Sequence, residues 1–314
     1  PRDGLDLTDL VQRKLEALGI DWNKSMSANG LKIGRYSFGK LELIKLMVYS
    51  ALTINFFLYI GNDIEIARHT LYEGSTFLER TRAFATTIDL SAWFILLFLL
   101  ELETYWLSED SLSRVAWMVI RGIRGLCILF LAHTLYAYGV YLTEIYSAAS
   151  VEGVSSLCQL VGADKSYAFN LAYSEITAEN CVTLSSANQF YFIDPPTFFI
   201  VQDATGLMIE KELAWVDMVE AIVWIVILLI IEIMIRIQDK NISNSAGLVV
   251  LSKLKILLFI VLWMAALYWL YRGHFMFAWD EFLWIAGFYV IGLNLSEWRE
   301  EINENNSREP THSV

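Results

Sequence analysis

The sequence predicts an all-α fold: a polytopic membrane bundle of about six transmembrane helices with a small disulfide-closed exoplasmic cap. Three observations lead there. Of 314 residues, 56% are hydrophobic and only 18% charged, against about 45–50% and about 25% in an ordinary soluble domain. The apolar residues gather in blocks near the length at which a helix crosses a bilayer core. Between two groups of blocks lies an acidic connection, Ser147 to Leu213, with two of the three cysteines.

Residues 1–40 are polar and of mixed charge. Leu7, Leu10, Val11, Leu15 and Leu18 recur at helical spacing, with Asp6 placed to cap the start and Gly19 the end. This predicts an amphipathic helix on the cytoplasmic face, packed on the protein's own bundle or on a partner. Residues 1–20 lack the order of a cleaved signal peptide, so targeting is expected from the first apolar block.

Six blocks follow: Leu43–Gly61, Phe84–Trp106, Val115–Tyr146, Ala214–Ile237, Leu248–Tyr271 and Trp279–Ser296. Each is predicted helical because lipid offers no partner to a bare backbone amide, and a helix satisfies its own. Residues 41–146 thus hold helices one to three and residues 214–296 helices four to six. Trp and Tyr near the block ends (Tyr105, Trp106, Trp117, Tyr271, Trp279 and Trp298) match aromatic belts.

Lys and Arg set the orientation. Arg35, Lys40 and Lys45 precede or enter block one, Arg114, Arg121 and Arg124 follow block two, and Arg236, Lys240, Lys253 and Lys255 surround the turn after block four. The connection at 147–213 has only Lys165 and Lys211. Both termini are therefore expected in the cytoplasm and residues 147–213 outside, in a cell membrane of the bacterial inner-membrane type. Arg68, Arg80 and Arg82 in the 62–83 loop run against this scheme.

On the oxidising side, Cys158 and Cys181 are expected to pair, contributing ~3 kcal/mol in the chain-entropy picture. Two β-rich runs, Phe190–Ile193 and Thr197–Val201, flank Pro195-Pro196 and suggest a folded cap. The acidic tail, 297–314, is expected to be disordered.

Blocks two and three resemble blocks four and five at one constant offset, which aligns Asp89 with Glu220, Trp93 with Trp224, Glu101 with Glu232 and Arg124 with Lys255. This reads as a parallel repeat about an axis along the membrane normal. Charges at depth need partners. Glu101 is expected to pair with Arg121 or Arg124, and Glu232 with Lys255. Such pairs either hold the helices together or line a path for ions or protons. Only Arg121 and Arg124 keep the three-residue spacing of a voltage sensor. His133 lies inside block three, a hydrogen-bonded interior residue or a proton relay. Asp89, Asp217 and Glu220 form an acidic rim at the outer block ends, a solvated surface or a place to concentrate cations.

A net charge of −12 argues against nucleic acid as a partner. Among the common catalytic motifs, HExxH, Walker A, GxSxG and Cys-x-x-Cys do not occur. The four prolines fall outside the blocks. Neither a metal nor a cofactor is expected. The sequence favours a non-enzymatic accessory or assembly subunit of a membrane complex, partnered by the lipid bilayer and by another protein or a second copy. The alternative is a channel or transporter for cations or protons that uses intramembrane carboxylates.

Overall fold

The computed structural model describes residues 31–33, 36–38, 40–105, 114–239 and 246–289. In chain order the elements are β1 (Leu31–Ile33), β2 (Tyr36–Phe38), α1 (Lys40–Thr70), α2 (Phe77–Ala83), α3 (Ala85–Tyr105), α4 (Arg114–Tyr146), β3 (Ala149–Ser150), β4 (Ser166–Phe169), β5 (Ala172–Glu175), α5 (Cys181–Leu184), β6 (Phe190–Phe192), β7 (Ile200–Asp203), α6 (Ala204–Asp239) and α7 (Ala246–Tyr271). A last helix, α8, covers 275–289. The amphipathic helix expected near the start and the tail after 296 lie outside the described residues.

The chain forms two compact units, one from Pro1–Ile54 with Trp279–Val314 and the other from Asn55–Ala278. In the first, β1 and β2 make an antiparallel hairpin with Leu31 opposite Phe38. The opening half of α1 buries Leu52, and Gly287 of α8 lies against Val48 and Leu52.

In the second unit α3 packs on α4, α4 on α6 and α6 on α7. The later half of α1 joins them through Phe56, whose ring centroid is 5.4 Å from that of Phe94, and through Tyr59, stacked on Phe277 at 5.5 Å. Four stretches are long and apolar enough to cross a membrane: Leu43–Thr70, Ala85–Leu102, Arg114–Tyr146 and Gly247–Tyr271. Large apolar side chains stay exposed along them, among them Phe57, Leu58, Phe98, Leu129, Ile256 and Leu267. Such faces are stable in lipid and costly in water. The chain therefore reads as a multi-pass membrane protein.

The expected count of six spans is met by four among the described residues. Expected blocks four and six fall in α6 and α8, which are not among those four. The first span also differs from expectation. α1 continues beyond Gly61 to Thr70, because nothing after Gly61 breaks a helix and Asp63 and Ala67 both find buried positions. The expected loop at 62–83 is consequently short, covering 71–76 before α2.

The region after α4 corrects the all-α expectation. It is a five-stranded sheet in the order β3-β6-β7-β4-β5. β4 and β7 run parallel and the remaining neighbours antiparallel. Strands this short carry too few residues to show an alternating pattern in sequence. Their core is Leu157, Tyr167, Phe190 and Val201, with Cys158 bonded to Cys181 across a Cα–Cα distance of 4.9 Å. The disulfide expected from the sequence is present. A second cluster, Ile145, Ile193, Ile200, Leu207 and Ala214, joins the sheet to α4 and α6.

The last strand runs straight into α6. Asp203 caps that helix, its Oδ1 accepting the Gly206 amide at 2.8 Å. Its Oδ2 accepts from Ser185 Oγ at 2.6 Å and Tyr167 OH at 2.7 Å. Burial opposes ionisation of Asp203, but these donors outweigh it and hold the carboxyl below the usual carboxylate range. α6 thus begins ten residues before the expected block, inside the cap.

Candidate functional site

Below the sheet, the ends of α1, α3, α4 and α6 leave a cavity of about 250 Å³. Its first wall is α1, which presents Asp63, only 3% exposed. Asp63 Oδ2 accepts the Thr87 amide at 2.9 Å and the Thr87 hydroxyl at 2.7 Å. Thr87 lies in the first turn of α3, where backbone N–H groups have no partner within the helix. Both of these bonds fall on Oδ2, so Oδ1 has no partner among the described residues.

The second wall is the α2 turn. Thr76 and Glu79 form a capping box, with Glu79 Oε2 accepting the Thr76 amide at 2.6 Å. That amide and the Thr76 hydroxyl hold the Glu79 carboxyl below its usual range. One turn on, Arg82 Nη2 donates to both oxygens of Glu144 on α4, at 2.7 and 3.0 Å. Glu144 therefore brings its own cation to the rim.

The roof is the segment between β6 and β7. Asp194 gathers it by accepting from Thr197 Oγ1 at 2.6 Å, Phe199 N at 2.7 Å and Ile200 N at 3.0 Å. Pro195-Pro196, joined by a cis bond, lie on the cavity side. Tyr72 and Tyr173 add aromatic faces, as do Tyr138 and Tyr141 from α4.

Tyr138 is the centre of the polar arrangement. It lines the cavity beside Thr86, Asp63 and Asp217. Asp217 lines the cavity and makes no hydrogen bond among the described residues. Asp89 stands outside this lining, near Thr134 and Trp93. Behind them, fully buried Glu210 accepts from Tyr141 OH at 2.5 Å and Gln202 Nε2 at 3.2 Å. No Lys, Arg or His pairs with Asp63, Asp89, Asp217 or Glu210 among the described residues. A buried carboxylate without a positive neighbour calls for a proton or another cation.

Of the residues singled out in the sequence, Asp217 lines this cavity with Asp63, and Asp89 does not. Glu220 does not join them, because both its oxygens accept from Trp269 Nε1 at 3.0 Å. His133 is half-buried with its ring centroid 6.1 Å from that of Tyr136, and Nε2 has no hydrogen-bond partner among the described residues. Arg121 is exposed, its guanidinium 5.7 Å from the Trp117 ring centroid. Glu101, Arg124, Glu232 and Lys255 are half-buried on α3, α4, α6 and α7, two hairpins whose helices pack on each other. Trp93 and Trp224, matched by the expected repeat, meet edge to face at 5.8 Å.

The sequence reading missed Asp63 and Glu210. For Asp63 a signal existed: nothing between Gly61 and Thr70 ends a helix, so the acid belonged on α1 and not in a loop. For Glu210 there was none, since its partners Tyr141 and Gln202 belong to other elements.

A neighbouring arrangement superficially suggests a hydrolase. His69 Nδ1 lies 2.8 Å from Ser166 Oγ, and His69 Nε2 lies 3.8 Å from Glu65 Oε1. The second distance is too long for a hydrogen bond. The Ser166 amide, a natural oxyanion donor, is spent on Phe199 O at 3.0 Å. The group ties α1 to the sheet. Among the described residues no three His, Cys, Asp or Glu side chains stand together as a metal site.

The chain matches no protein-family model, no curated protein and no solved structure.

Proposed function

We propose that this protein is a membrane channel or carrier for cations that admits them through the carboxylate-lined cavity beneath the sheet. The observation that carries this reading is that Asp63 and Asp217 line this cavity beside Tyr138 without a basic partner among the described residues. In a low-dielectric site those charges favour any cation that reaches them. The proposal includes six spans, α6 and α8 completing the four apolar ones, with both termini in the cytoplasm and the sheet outside. On this view Glu101, Glu232 and His133 continue the path toward the cytoplasmic side. The test is cation flux into proteoliposomes. Asp217→Asn, which removes a charge but no hydrogen bond, should abolish flux while the protein stays folded. Undiminished flux in Asp217→Asn and in Glu101→Gln/Glu232→Gln would sink the proposal.

A second reading, an accessory or assembly subunit of a membrane complex, draws support from the sheet domain. Val182 there is 75% exposed beside the disulfide, an apolar point suited to a protein partner. Purification in mild detergent should then recover a stoichiometric partner, and a clean monomer would count against it.

A further inference from the structure

The cavity is larger than a bare ion needs and more apolar than one prefers. We infer that its ligand is a small protonated amine with an apolar body, a deepening that rests on the cation reading above. Four features of the site converge on that class.

Charge comes first. Asp63 is almost wholly buried, lines the cavity, and has Oδ1 without a partner, while Asp217 has no hydrogen bond at all among the described residues. The other acids of the lining are already answered: Glu144 by Arg82, Asp194 by its own turn, Glu79 by Thr76. Two acceptors therefore stand open on opposite helices, α1 and α6. An ammonium group has three N–H donors and can be held by either.

Aromatic faces are the second feature. Tyr72, Tyr138, Tyr141 and Tyr173 line the same space. Tyrosine rings attract ammonium groups through their quadrupole and pack against an apolar body equally well. A hydrated metal ion gains little from such a lining.

Size is the third. The cavity holds about 250 Å³. An apolar void of about 150 Å³ accommodates one benzene. The space here thus suits a ring or short chain with an aminoalkyl arm, and greatly exceeds one dehydrated metal ion.

The fourth is the apolar part of the lining. Ile66, Leu71, Ile193 and Pro196 offer apolar contact to the body once the amine is anchored at a carboxylate. An apolar lining with a few polar or charged groups that fix orientation is the usual make-up of a small-molecule pocket.

The test uses purified full-length protein in lipid nanodiscs, with 2-phenylethylammonium chloride as probe. Its neutral analogue 2-phenylethanol and sodium chloride at matched ionic strength are the comparisons. The amine should raise the melting temperature saturably, as binding to the folded state alone requires, and should bind at least about tenfold more tightly than the alcohol. Asp217→Asn should melt like the unliganded wild type yet lose about tenfold or more in amine affinity. Equal binding of amine and alcohol, or an unchanged affinity in Asp217→Asn, overturns the inference. Stabilisation by sodium and not by the amine overturns it too, while leaving the cation reading in place. If neither cation binds and wild-type proteoliposomes pass none, both fall together.

Discussion

Asp63 caps a helix to which it does not belong. Its Oδ2 takes the amide and the hydroxyl of Thr87 at 2.9 and 2.7 Å, so a carboxylate on α1 closes the first turn of α3. Removing the hydroxyl with Thr87→Val should cost about 1–3 kcal/mol, the worth of a hydrogen bond to a charged group. In a double-mutant cycle with Asp63→Ala the two costs should couple strongly, because either change deletes the same bond. Additive losses in thermal melts would show that the contact contributes nothing.

The disulfide joins two points of the sheet domain that are 23 residues apart in sequence. Reduction, or Cys158→Ser with Cys181→Ser, should destabilise that domain by about 2–4 kcal/mol. Amide exchange should rise across residues 150–203 and stay low in α4 and α7. Exchange that rises evenly over the whole chain would mean that the sheet has no local stability of its own.

Acid should loosen the same domain through Asp203. Its carboxyl is held below the usual range in the folded state, whereas the unfolded chain titrates near pH 4. A depressed folded value stabilises fully above the unfolded one, and that stability drains away as pH falls through the folded value. Melts of the sheet domain should therefore drop below about pH 4. Asp203→Asn keeps an N-cap acceptor and should flatten that dependence, and Asp203→Ala should cost about 1–2 kcal/mol at neutral pH.

Arg82 and Glu144 are each about three-quarters buried, with side-chain exposures of 23% and 24%. Arg82→Ala strands a partly buried carboxylate and should cost about 1 kcal/mol or somewhat more, partial exposure screening the loss. The double reversal Arg82→Glu/Glu144→Arg should recover part of it. No recovery would show that the stem of Arg82 packs more than its charge pairs.

Trp93 and Trp224, ring centroids 5.8 Å apart, should couple by about 0.5–1.5 kcal/mol in a cycle of Leu substitutions. Matched positions of a repeat meet in this way only near a symmetry axis, so a coupling of zero would weaken the duplication read from the sequence.

How much of this was legible beforehand follows from the range of the forces. α3, α4 and α7 appeared within two residues of their observed starts, because an uninterrupted apolar run of span length has few other stable forms. The cysteine pairing was legible because few thiols shared one acidic connection. The sheet was only half visible: its runs around Pro195-Pro196 signalled strands, but strands of two to four residues and a parallel β4–β7 pairing have no local signature. In the site, Asp217 stood out as an acid within an apolar block. Asp63 was hidden by a helix end placed too early, and Glu210 by partners that belong to other elements.

By itself, then, the sequence determined that this chain enters lipid as helices and carries a disulfide in its acidic connection. Both follow from local composition: apolar length for the helices, and two cysteines within one segment for the bond. Only the tertiary structure decided that the connection is a sheet. It alone set Thr87 against Asp63, and brought Asp63 and Asp217 to one cavity beside Tyr138. Those contacts depend on which helix ends meet across tens of residues, and a carboxylate's neighbours, not its place in the chain, determine whether it caps a helix or waits for a cation.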